Sequence, residues 1–512
     1  MSAAVPPLVA AAPSNCYQSV SDRFGAVKKL SLTIFGILAT LAVVILVRAV
    51  TFPSRQLQVR PAHAIAIDRD GAMKRLSEAI RFKTISFQEP SDASAQEFTR
   101  LHAFLAKSFP RIHQQLTKET VNGHSLLYTW NGKDAHLKPM LLMGHMDVVP
   151  VDSPTERQWT HPPFAGEIAD GYLWGRGTMD DKVSVLGILE AVEYLLSAGF
   201  QPQRTIYLAF GHDEEIGGHN GAAKIAELLR SRGVELEYVL DEGMNVVDGI
   251  IPGIAAPAAL IGIAEKGYLS LELSVETAGG HSSIPPIDTA IGIISRALQR
   301  LEAVPFLARL SGPTRRMLEF LGPEMAWPQR LALANLWLLD PLVRKQLAAS
   351  TLTNAIIRTT LAPTLFNAGM TEYSLPTQAR AVVNLRIVPG DTIAGVTEHV
   401  RQTINDPRVK IAALPIRVEP SAVSDIEAAS FSVIHRTIRQ AIPEVLVAPA
   451  LLVAGTDSRH YAPLTKNIYR FLPITLRPDD ARRYHGINER ISLQDYERCV
   501  RFYAQLIRNS QP

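Results

Sequence analysis

Several short apolar runs in this chain end in acidic or imidazole side chains, and this pattern limits the possible folds more than any other feature. The runs are LLMGHMDVVP, AFGHDEEIGG and YVLDEG, and the segment GRGTMDDK lies between the first two. Such runs are typical of strands that are covered by helices on both faces. Because the ends of neighbouring strands converge at one edge of a sheet, we expect His145, Asp180, Glu215 and Asp241 to meet there, joined by His485 from a later loop.

Imidazole nitrogens and carboxylate oxygens are ligands that zinc accepts. The set therefore predicts a site for one or two divalent cations and, with it, a metal-dependent hydrolase. Each residue taken alone also has an ordinary structural interpretation. Asp180, for example, lies at a glycine-rich turn that opens a helix, where an acid is typical of an N-cap. Five such positions at strand or loop ends favour the metal site over coincidence.

Two pairs of side chains add detail to this prediction. His145 and Asp147 lie two residues apart on a predicted strand, so their side chains share a face, and Asp147 is able to hold the imidazole from behind. A structural hydrogen bond is the alternative for this pair. Glu214 and Glu215 are adjacent, so their side chains diverge: one is able to bind metal while the other acts as a base towards the substrate. A solvated acidic loop is the alternative for the second pair.

The length of 512 residues exceeds what one hydrophobic core usually organises and predicts two globular units with additional segments. The net charge of +3 is small for such a chain, and nothing in it indicates a nucleic-acid partner. Only two cysteines occur, Cys16 and Cys499, so we expect no stabilising disulfide.

The segment LSLTIFGILATLAVVILV carries no charge and is long enough to span a bilayer. We interpret residues 30–48 as a transmembrane signal-anchor, with a cleaved secretory signal and a buried globular helix as the alternatives. Three basic residues precede the segment from Arg23 on, and three follow it up to Arg60, so the positive-inside rule does not select an orientation. We expect a single-pass membrane protein with an extracytoplasmic catalytic domain.

The rest of the chain divides by its hydrophobic periodicity. Helix-like and strand-like segments alternate from residue 69, whereas LSLELSVETAGG and ARAVVNLRIVPGD alternate with period two, as in antiparallel strands with one exposed face. We therefore predict an α/β catalytic domain with helices on both faces of a mixed sheet, formed by residues 69–266 and 386–512. An inserted α+β domain of residues 267–385 interrupts it. The N-terminal tail is residues 1–29 and the linker is residues 49–68.

Nine motifs occur in an order that resembles the zinc-dependent aminoacylase and carboxypeptidase family, and within it the branch of carboxypeptidase S and the N-fatty-acyl-amino acid synthase/hydrolase. They are GHMDVVPVD, WGRGTMDDK, GHDEEIGG, LDEG, GGHSSIPP, FNAG, VNLRIVPGD, GTDSRHY and HGINERIS. The resemblance implies a dinuclear-zinc, aminopeptidase-like catalytic domain and an inserted lid domain that often makes a dimer contact. It also implies two Zn²⁺ per subunit, with cobalt or manganese as possible substitutes.

The resemblance also implies the metal ligands. Asp180 bridges both ions, His145 and Asp241 complete one site, and Glu215 and His485 complete the other. Asp241 is preferred to its neighbour Glu242 by its spacing from Glu215. In relatives the bridging acid is followed by a cis peptide bond, which predicts a cis bond between Asp180 and Asp181.

The remaining implied roles concern catalysis and substrate binding. Glu214 is the general base, Asp147 supports the site, and His281 from the lid, often that of a partner subunit, donates to the oxyanion. Arg459 resembles a clamp for a substrate carboxylate, because a guanidinium matches that group bidentately, and Asn367 helps to hold substrate.

The predicted reaction is hydrolysis of an amide whose amine half carries a free carboxylate. The substrate is an N-acyl amino acid or the C-terminal bond of a small peptide. The membrane segment and the apolar insertion FLARL, MLEFLG and LALANLWLLDPLV make a long fatty acyl chain attractive, with ordinary lid core as the alternative. The residues do not fix the direction, hydrolysis or synthesis. The alternative of another class is a catalytically inactive, peptidase-like receptor or scaffold.

Overall fold

The computed structural model describes residue 4 and residues 15–62, 65–89 and 92–511. Of the predicted N-terminal tail, residues 1–3 and 5–14 lie outside the described residues, and the chain is helical from Asn15 onwards.

The secondary structure alternates between helices and strands after a long first helix. The α-helices are α1 (Asn15–Val50), α2 (Arg69–Ile80), α3 (Asp92–Ser108), α4 (Pro110–Gln115), α5 (Ser153–Glu156), α6 (Lys182–Ser197), α7 (Ala222–Ser231), α8 (Ala290–Ala303), α9 (Gly312–Leu321), α10 (Trp327–Ala334), α11 (Leu336–Ala348), α12 (Thr351–Ile357), α13 (Ile393–Ile404), α14 (Ala429–Ala441) and α15 (Leu493–Asn509). The strands are β1 (Thr117–Val121), β2 (Ser125–Trp130), β3 (Met140–His145), β4 (Glu167–Ala169), β5 (Tyr172–Trp174), β6 (Ile206–Gly211), β7 (Tyr238–Asp241), β8 (Val246–Val247), β9 (Ala258–Glu265), β10 (Gly267–Glu276), β11 (Gly280–His281), β12 (Thr360–Ala368), β13 (Ser374–Leu375), β14 (Gln378–Ile387), β15 (Lys410–Val418), β16 (Leu446–Leu452), β17 (Ile468–Arg470), β18 (Thr475–Leu476) and β19 (Arg490–Ser492).

The largest sheet is mixed, as predicted, and has ten strands. Its order is β1-β2-β6-β3-β7-β17-β9-β8-β18, and β16 pairs with β9. Strand β3 runs parallel to both neighbours, β6 and β7, whereas β1, β2 and β6 pair antiparallel. The carboxyl ends of β3, β6 and β7 therefore lie side by side at one edge of the sheet.

Helices cover both faces of this sheet because its central strands are apolar on both sides. Along β3, Met140 and Leu142 face the core that contains α6 and α15. The alternate residues Leu141 and Met143 face the core that contains α7. Because successive side chains of a strand point to opposite faces, a run of buried residues requires a helical layer on each side. This arrangement confirms the predicted α/β class.

The inserted unit is built on a second, antiparallel sheet with the order β12-β14-β10-β15. Leu269, Leu271, Leu273 and Val275 of β10 are buried against α8 and α13, as the period-two pattern predicts. The unit does not end at residue 385. The chain turns at Gly390 into α13, and β15 then pairs with β10, so the inserted unit comprises residues 267–418.

Helix α1 contains the one segment among the described residues that is long and apolar enough to cross a membrane, Lys28–Val50. Its 23 residues include an apolar window that is not buried in the protein. The interpretation as a buried globular helix is therefore wrong for this segment. A membrane anchor and a signal sequence are both compatible with the finding.

Candidate metal centre

One group of candidate ligands forms where β3 and β7 end. It contains His145, the last residue of β3, Glu242, which follows β7, and Asp180 from the loop before α6, with ligand atoms within 4.8 Å of one another. Nε2 of His145 lies 3.0 Å from Oδ1 of Asp180. His145 is 1% exposed, so its orientation is fixed by the surrounding protein.

A second group shares Asp180 with the first. Its other members are Glu215, from the turn after β6, and His485, from the loop before β19. Nε2 of His485 lies 3.1 Å from Oδ2 of Asp180 and 3.1 Å from Oε2 of Glu215. The two carboxylate oxygens of Asp180 thus face different imidazoles. This is the arrangement that a bridging ligand between two cations requires.

Asp241, which the sequence favoured as a ligand, does not join either group. It is still paired within the sheet, opposite Arg470, and its side chain turns into the protein. Its Oδ2 accepts the backbone N–H of Ser458 at 3.0 Å, and its Oδ1 accepts the N–H of Glu242 at 2.9 Å. Glu242 lies one residue beyond the strand and points into the cluster. The preference for Asp241 over Glu242 is therefore corrected.

Asp147 holds the two sides of the centre together. Its Oδ1 lies 3.3 Å from Nδ1 of His145 and accepts the N–H of Glu214 at 3.2 Å. Its Oδ2 accepts the hydroxyl of Ser86 at 2.7 Å and the N–H of Glu215 at 3.1 Å. One fully buried carboxylate therefore positions an imidazole ligand and the turn that carries both glutamates.

The centre contains more carboxylates than its two imidazoles neutralise. Burial, together with neighbouring carboxylates, raises the pKa of Glu242 and of Glu214 well above the ordinary value. Hydrogen bonds to the carboxylates of Asp180 and Glu215 raise the pKa of His485 to about 10. Crowded acids ionise together only where positive charge is close, and divalent cations supply such charge.

The chemistry of the donor set fits such ions. Each group offers one imidazole nitrogen and two carboxylates, which is a ligand type that zinc accepts. In addition, Oε1 of Glu215 is buried and has no hydrogen-bond partner among the described residues. A buried carboxylate oxygen without a donor is costly unless an ion binds it. Asp180, His145 and Glu242 would hold one ion, and Asp180, Glu215 and His485 the other.

Sequence reasoning missed Glu489, which shapes the loop that carries Asp180. This fully buried carboxylate accepts the backbone N–H groups of Gly177 at 2.9 Å and of Met179 at 2.8 Å, and it pairs with Arg176 at 2.5 Å. Burial raises the pKa of Glu489 to about 7. Its signal was present in the motif HGINERIS, four residues after His485.

The sequence reasoning assigned no contact near the centre to two further buried acids, Asp181 and Asp457. Asp181 accepts the backbone N–H of His145 at 3.3 Å, and the bond between Asp180 and Asp181 is cis, as the resemblance implies. Asp457 lies so close to Gly218 that a Cβ there would stand 1.7 Å from its Oδ1. The last glycine of GHDEEIGG therefore makes room for an acid of GTDSRHY.

The three residues predicted to contact substrate, Arg459, His281 and Asn367, belong to neither ligand group. Arg459 is half-buried, and one guanidinium nitrogen donates to the carbonyl of Gly217 at 2.9 Å, next to the Glu214 turn. His281 and Asn367 are exposed on the inserted unit. Within the described part of the chain, the His281 ring forms hydrogen bonds with Ser283 and with no residue of the centre.

Comparison with known proteins agrees with this geometry. The chain is 42% identical to the probable carboxypeptidase S-like 2 of Dictyostelium discoideum, covering 96% of each protein. It is 42% identical to the N-fatty-acyl-amino acid synthase/hydrolase PM20D1.1 of Danio rerio, covering 86% of each. The fold matches the M20 family metallo-carboxypeptidase Sso-CP2 of Sulfolobus solfataricus with a TM-score of 0.62 at 18% identity, over 85% of this chain and 98% of that one.

The profile of peptidase family M20/M25/M40 matches residues 141–509. This range includes every residue of the two ligand groups, together with Glu214 and Arg459. The relatives are carboxypeptidases and N-acyl amino acid hydrolases, so the chain is an enzyme that hydrolyses amide bonds with the help of a metal. It belongs to peptidase family M20/M25/M40.

Proposed function

We propose that this chain is a membrane-anchored, dinuclear zinc hydrolase that cleaves N-acyl amino acids, including those with long fatty acyl chains. Small peptides with a free C-terminal carboxylate are the second substrate class. The observation that carries the proposal is the shared carboxylate: Asp180 lies 3.0 Å from His145 and 3.1 Å from His485 through different oxygens. Cobalt and manganese accept the same ligands as zinc and are expected to substitute.

When bound, zinc polarises the carbonyl of the scissile amide and lowers the pKa of water. Glu214 accepts a proton from the attacking water at its carboxylate and then delivers it to the leaving amine. The backbone N–H of Glu214 donates to Asp147, which fixes the turn that carries this carboxylate.

Arg459 is suited to bind the free carboxylate of the substrate. Its hydrogen bond to the carbonyl of Gly217 fixes the side chain beside the turn that carries Glu214. A guanidinium has five N–H donors, so one bond to the backbone leaves others for a carboxylate. This position next to the base supports a substrate whose carboxylate lies close to the scissile amide.

The inserted unit is proposed to act as a lid. His281 is exposed on it, so a role in binding the oxyanion requires that the unit close over the centre or that a second copy of the chain deliver the residue. Asn367 on β12 is proposed to contact substrate from the same unit. A homodimer formed through this unit is part of the proposal.

Membrane anchoring by α1 and an extracytoplasmic catalytic unit complete the proposal. The similarity to an N-fatty-acyl-amino acid synthase/hydrolase over 86% of the chain supports a lipidic acyl group. The similarity to a carboxypeptidase S-like protein over 96% of the chain supports the peptide alternative, and the sequence identity is the same, 42%, in both comparisons. A direct comparison of substrates is therefore needed.

The test measures turnover of long-chain N-acyl amino acids, short-chain N-acyl amino acids and blocked dipeptides by the wild type and by Glu214→Gln. We expect the wild type to bind two zinc ions and to favour the long-chain substrates. The variant keeps both ions but loses turnover by at least about 100-fold, because removal of a general base costs that much. Retained turnover removes Glu214 from the base role, and absence of both zinc and turnover in the wild type refutes the hydrolase.

A further inference from the structure

The C-terminal end of α1 is packed against α10 and contacts Asn335, the residue that joins α10 to α11. Leu41 and Ile45 are half-buried there, and Ala49 is fully buried, whereas the residues between them are exposed. A four-residue spacing places these three side chains on one face of the helix. The last two turns of the apolar segment thus rest against the protein.

Hydrogen bonds fix this contact. Nδ2 of Asn335 donates to the carbonyl of Ile45 at 3.0 Å, and Nε of Arg330 donates to the carbonyl of Ala49 at 2.8 Å. In the other direction, Nε of Arg48 donates to the carbonyl of Ala334 at 3.1 Å. These bonds fix α10 and Asn335 relative to α1, and α11, which follows Asn335 directly, packs on α10.

The contact between α1 and Asn335 lies at a depth that would be inside a bilayer spanned by α1. The apolar segment Lys28–Val50 has 23 residues, which at about 1.5 Å per residue is roughly 34 Å, slightly more than the hydrocarbon thickness of about 30 Å. Ile45, which Asn335 contacts, lies five residues before Val50 and hence roughly 7 Å below the end of the segment. Helices that lie in a membrane interface are buried about 5–10 Å deep.

The same two helices expose large apolar side chains. Trp327 is 47% exposed, Trp337 57%, Leu338 41% and Leu342 61%. These four residues are named the docking face. The ring of Trp337 donates to Asn335 at 3.3 Å, the residue that also contacts α1. Tryptophan is typical of the boundary between headgroups and acyl chains, because its ring is apolar and its N–H is polar.

We propose that the docking face lies in the headgroup–acyl boundary of a phospholipid bilayer. The proposal rests on the membrane anchor of the preceding subsection and not on the hydrolase chemistry. The bilayer is favoured over a second copy of the chain because Asn335 contacts both Ile45 of the apolar segment and the ring of Trp337, which places the docking face beside that segment. Docking holds the enzyme against the surface in which long-chain acyl amino acids dissolve.

The tryptophans provide the test. Helix α1 contains none, and of the five in the chain the other three, Trp130, Trp159 and Trp174, are at most 8% exposed. The full chain is reconstituted into phosphatidylcholine vesicles with acyl chains brominated near the glycerol backbone, and its emission is compared with that in unbrominated vesicles. We expect quenching of the wild type, none for Trp327→Phe/Trp337→Phe, and unchanged quenching for the matched control Trp130→Phe.

A second variant, Leu338→Asp/Leu342→Asp, keeps both tryptophans but charges the docking face. We expect it to lose quenching, to stay with the vesicles in alkaline carbonate, and to hydrolyse a short-chain substrate at the wild-type rate. If the wild type stays with the vesicles but is not quenched, the docking face is overturned and the anchor is not. The same holds if quenching survives removal of both exposed tryptophans. A cross-linked dimer through this face without quenching assigns it to a second copy and also overturns the proposal. Release of the wild type from the vesicles by carbonate overturns the anchor and the docking together. A wild type that is retained and quenched but has no turnover overturns only the hydrolase.

Discussion

The carboxylate of Asp147 offers the sharpest test of how the centre is held. Its Oδ1 accepts the Glu214 N–H and lies 3.3 Å from Nδ1 of His145, and its Oδ2 accepts the Ser86 hydroxyl and the Glu215 N–H. The substitution Asp147→Asn keeps the shape but replaces one acceptor oxygen with an NH₂ donor. The donors that bond to one of the two oxygens must then face an NH₂ group, which cannot accept their hydrogen bonds.

The favourable orientation of the new amide follows from those partners. The Ser86 hydroxyl is able to turn and accept, so the NH₂ group goes to the Oδ2 side and the oxygen stays with His145 and Glu214. The buried N–H of Glu215 then has no acceptor, which costs about 1–3 kcal/mol. The other hydrogen bonds lose their charge, at about 1 kcal/mol each. We expect the free energy of unfolding to fall by roughly 3–5 kcal/mol.

The same change weakens metal binding, because Glu215 belongs to the second ligand group. Loss of a partner that orients a metal ligand usually costs about 10–100-fold in metal affinity. The measurement is zinc titration of the full chain in detergent against a chromogenic chelator, with Ser86→Ala as the matched control that removes one donor and keeps the charge. The reasoning fails if Asp147→Asn binds both ions like the wild type, or if Ser86→Ala loses as much as Asp147→Asn.

Two other predictions use the same protein. Glu242→Gln should lower the bound zinc, measured by elemental analysis, from two ions towards one. Asp241→Asn should keep both ions and lower the free energy of unfolding by about 1–3 kcal/mol, because a buried N–H loses its acceptor. The opposite pattern restores Asp241 as the ligand. Burial lowers the pKa of His435, which packs among aromatic rings, to about 4, so stability is complete above pH 6.5 and is lost as pH falls from 6.5 through 4. Between pH 7.5 and pH 5, the free energy of unfolding of His435→Leu should therefore fall by about 2 kcal/mol less than that of the wild type, because about 1.5 pH units below 6.5 correspond to about 2 kcal/mol. Urea titrations at the two pH values measure this difference. Parallel pH profiles for the two proteins refute the assignment.

The strands that carry the centre were predictable because their signal is local. The runs at Met140–His145, Ile206–Gly211 and Tyr238–Asp241 are apolar on both faces, and only a strand covered on both sides buries such a run. Helix Lys182–Ser197 is apolar around most of its surface, which fits its position between the sheet and α15. Parallel strands then bring their carboxyl ends together without any further information.

The end of the inserted unit was not predictable in the same way. Strand β15 is an edge strand whose residues are mostly exposed, so its sequence carries only a weak alternation of apolar and polar residues. Its partner β10 is more than a hundred residues earlier in the chain. Nothing local to Lys410–Val418 indicates which of the two sheets it joins. The contact between α1 and α10 escaped for the same reason, because it links segments that are far apart in sequence.

The choice between Asp241 and Glu242 shows how far strand periodicity can be carried into a site. The sequence places both acids at a strand end, and spacing alone favoured the first. In the structure, the last paired residue of β7 is Asp241, and a residue within a sheet must direct its side chain to one face. That face is occupied by the turn Asp457–Tyr461, whose Ser458 N–H requires an acceptor. The next residue is free of the sheet and turns towards His145. Which of two adjacent acids at a strand end binds metal thus depends on whether a neighbouring backbone N–H requires the first of them as its acceptor. Here that N–H belongs to Ser458, more than two hundred residues later in the chain.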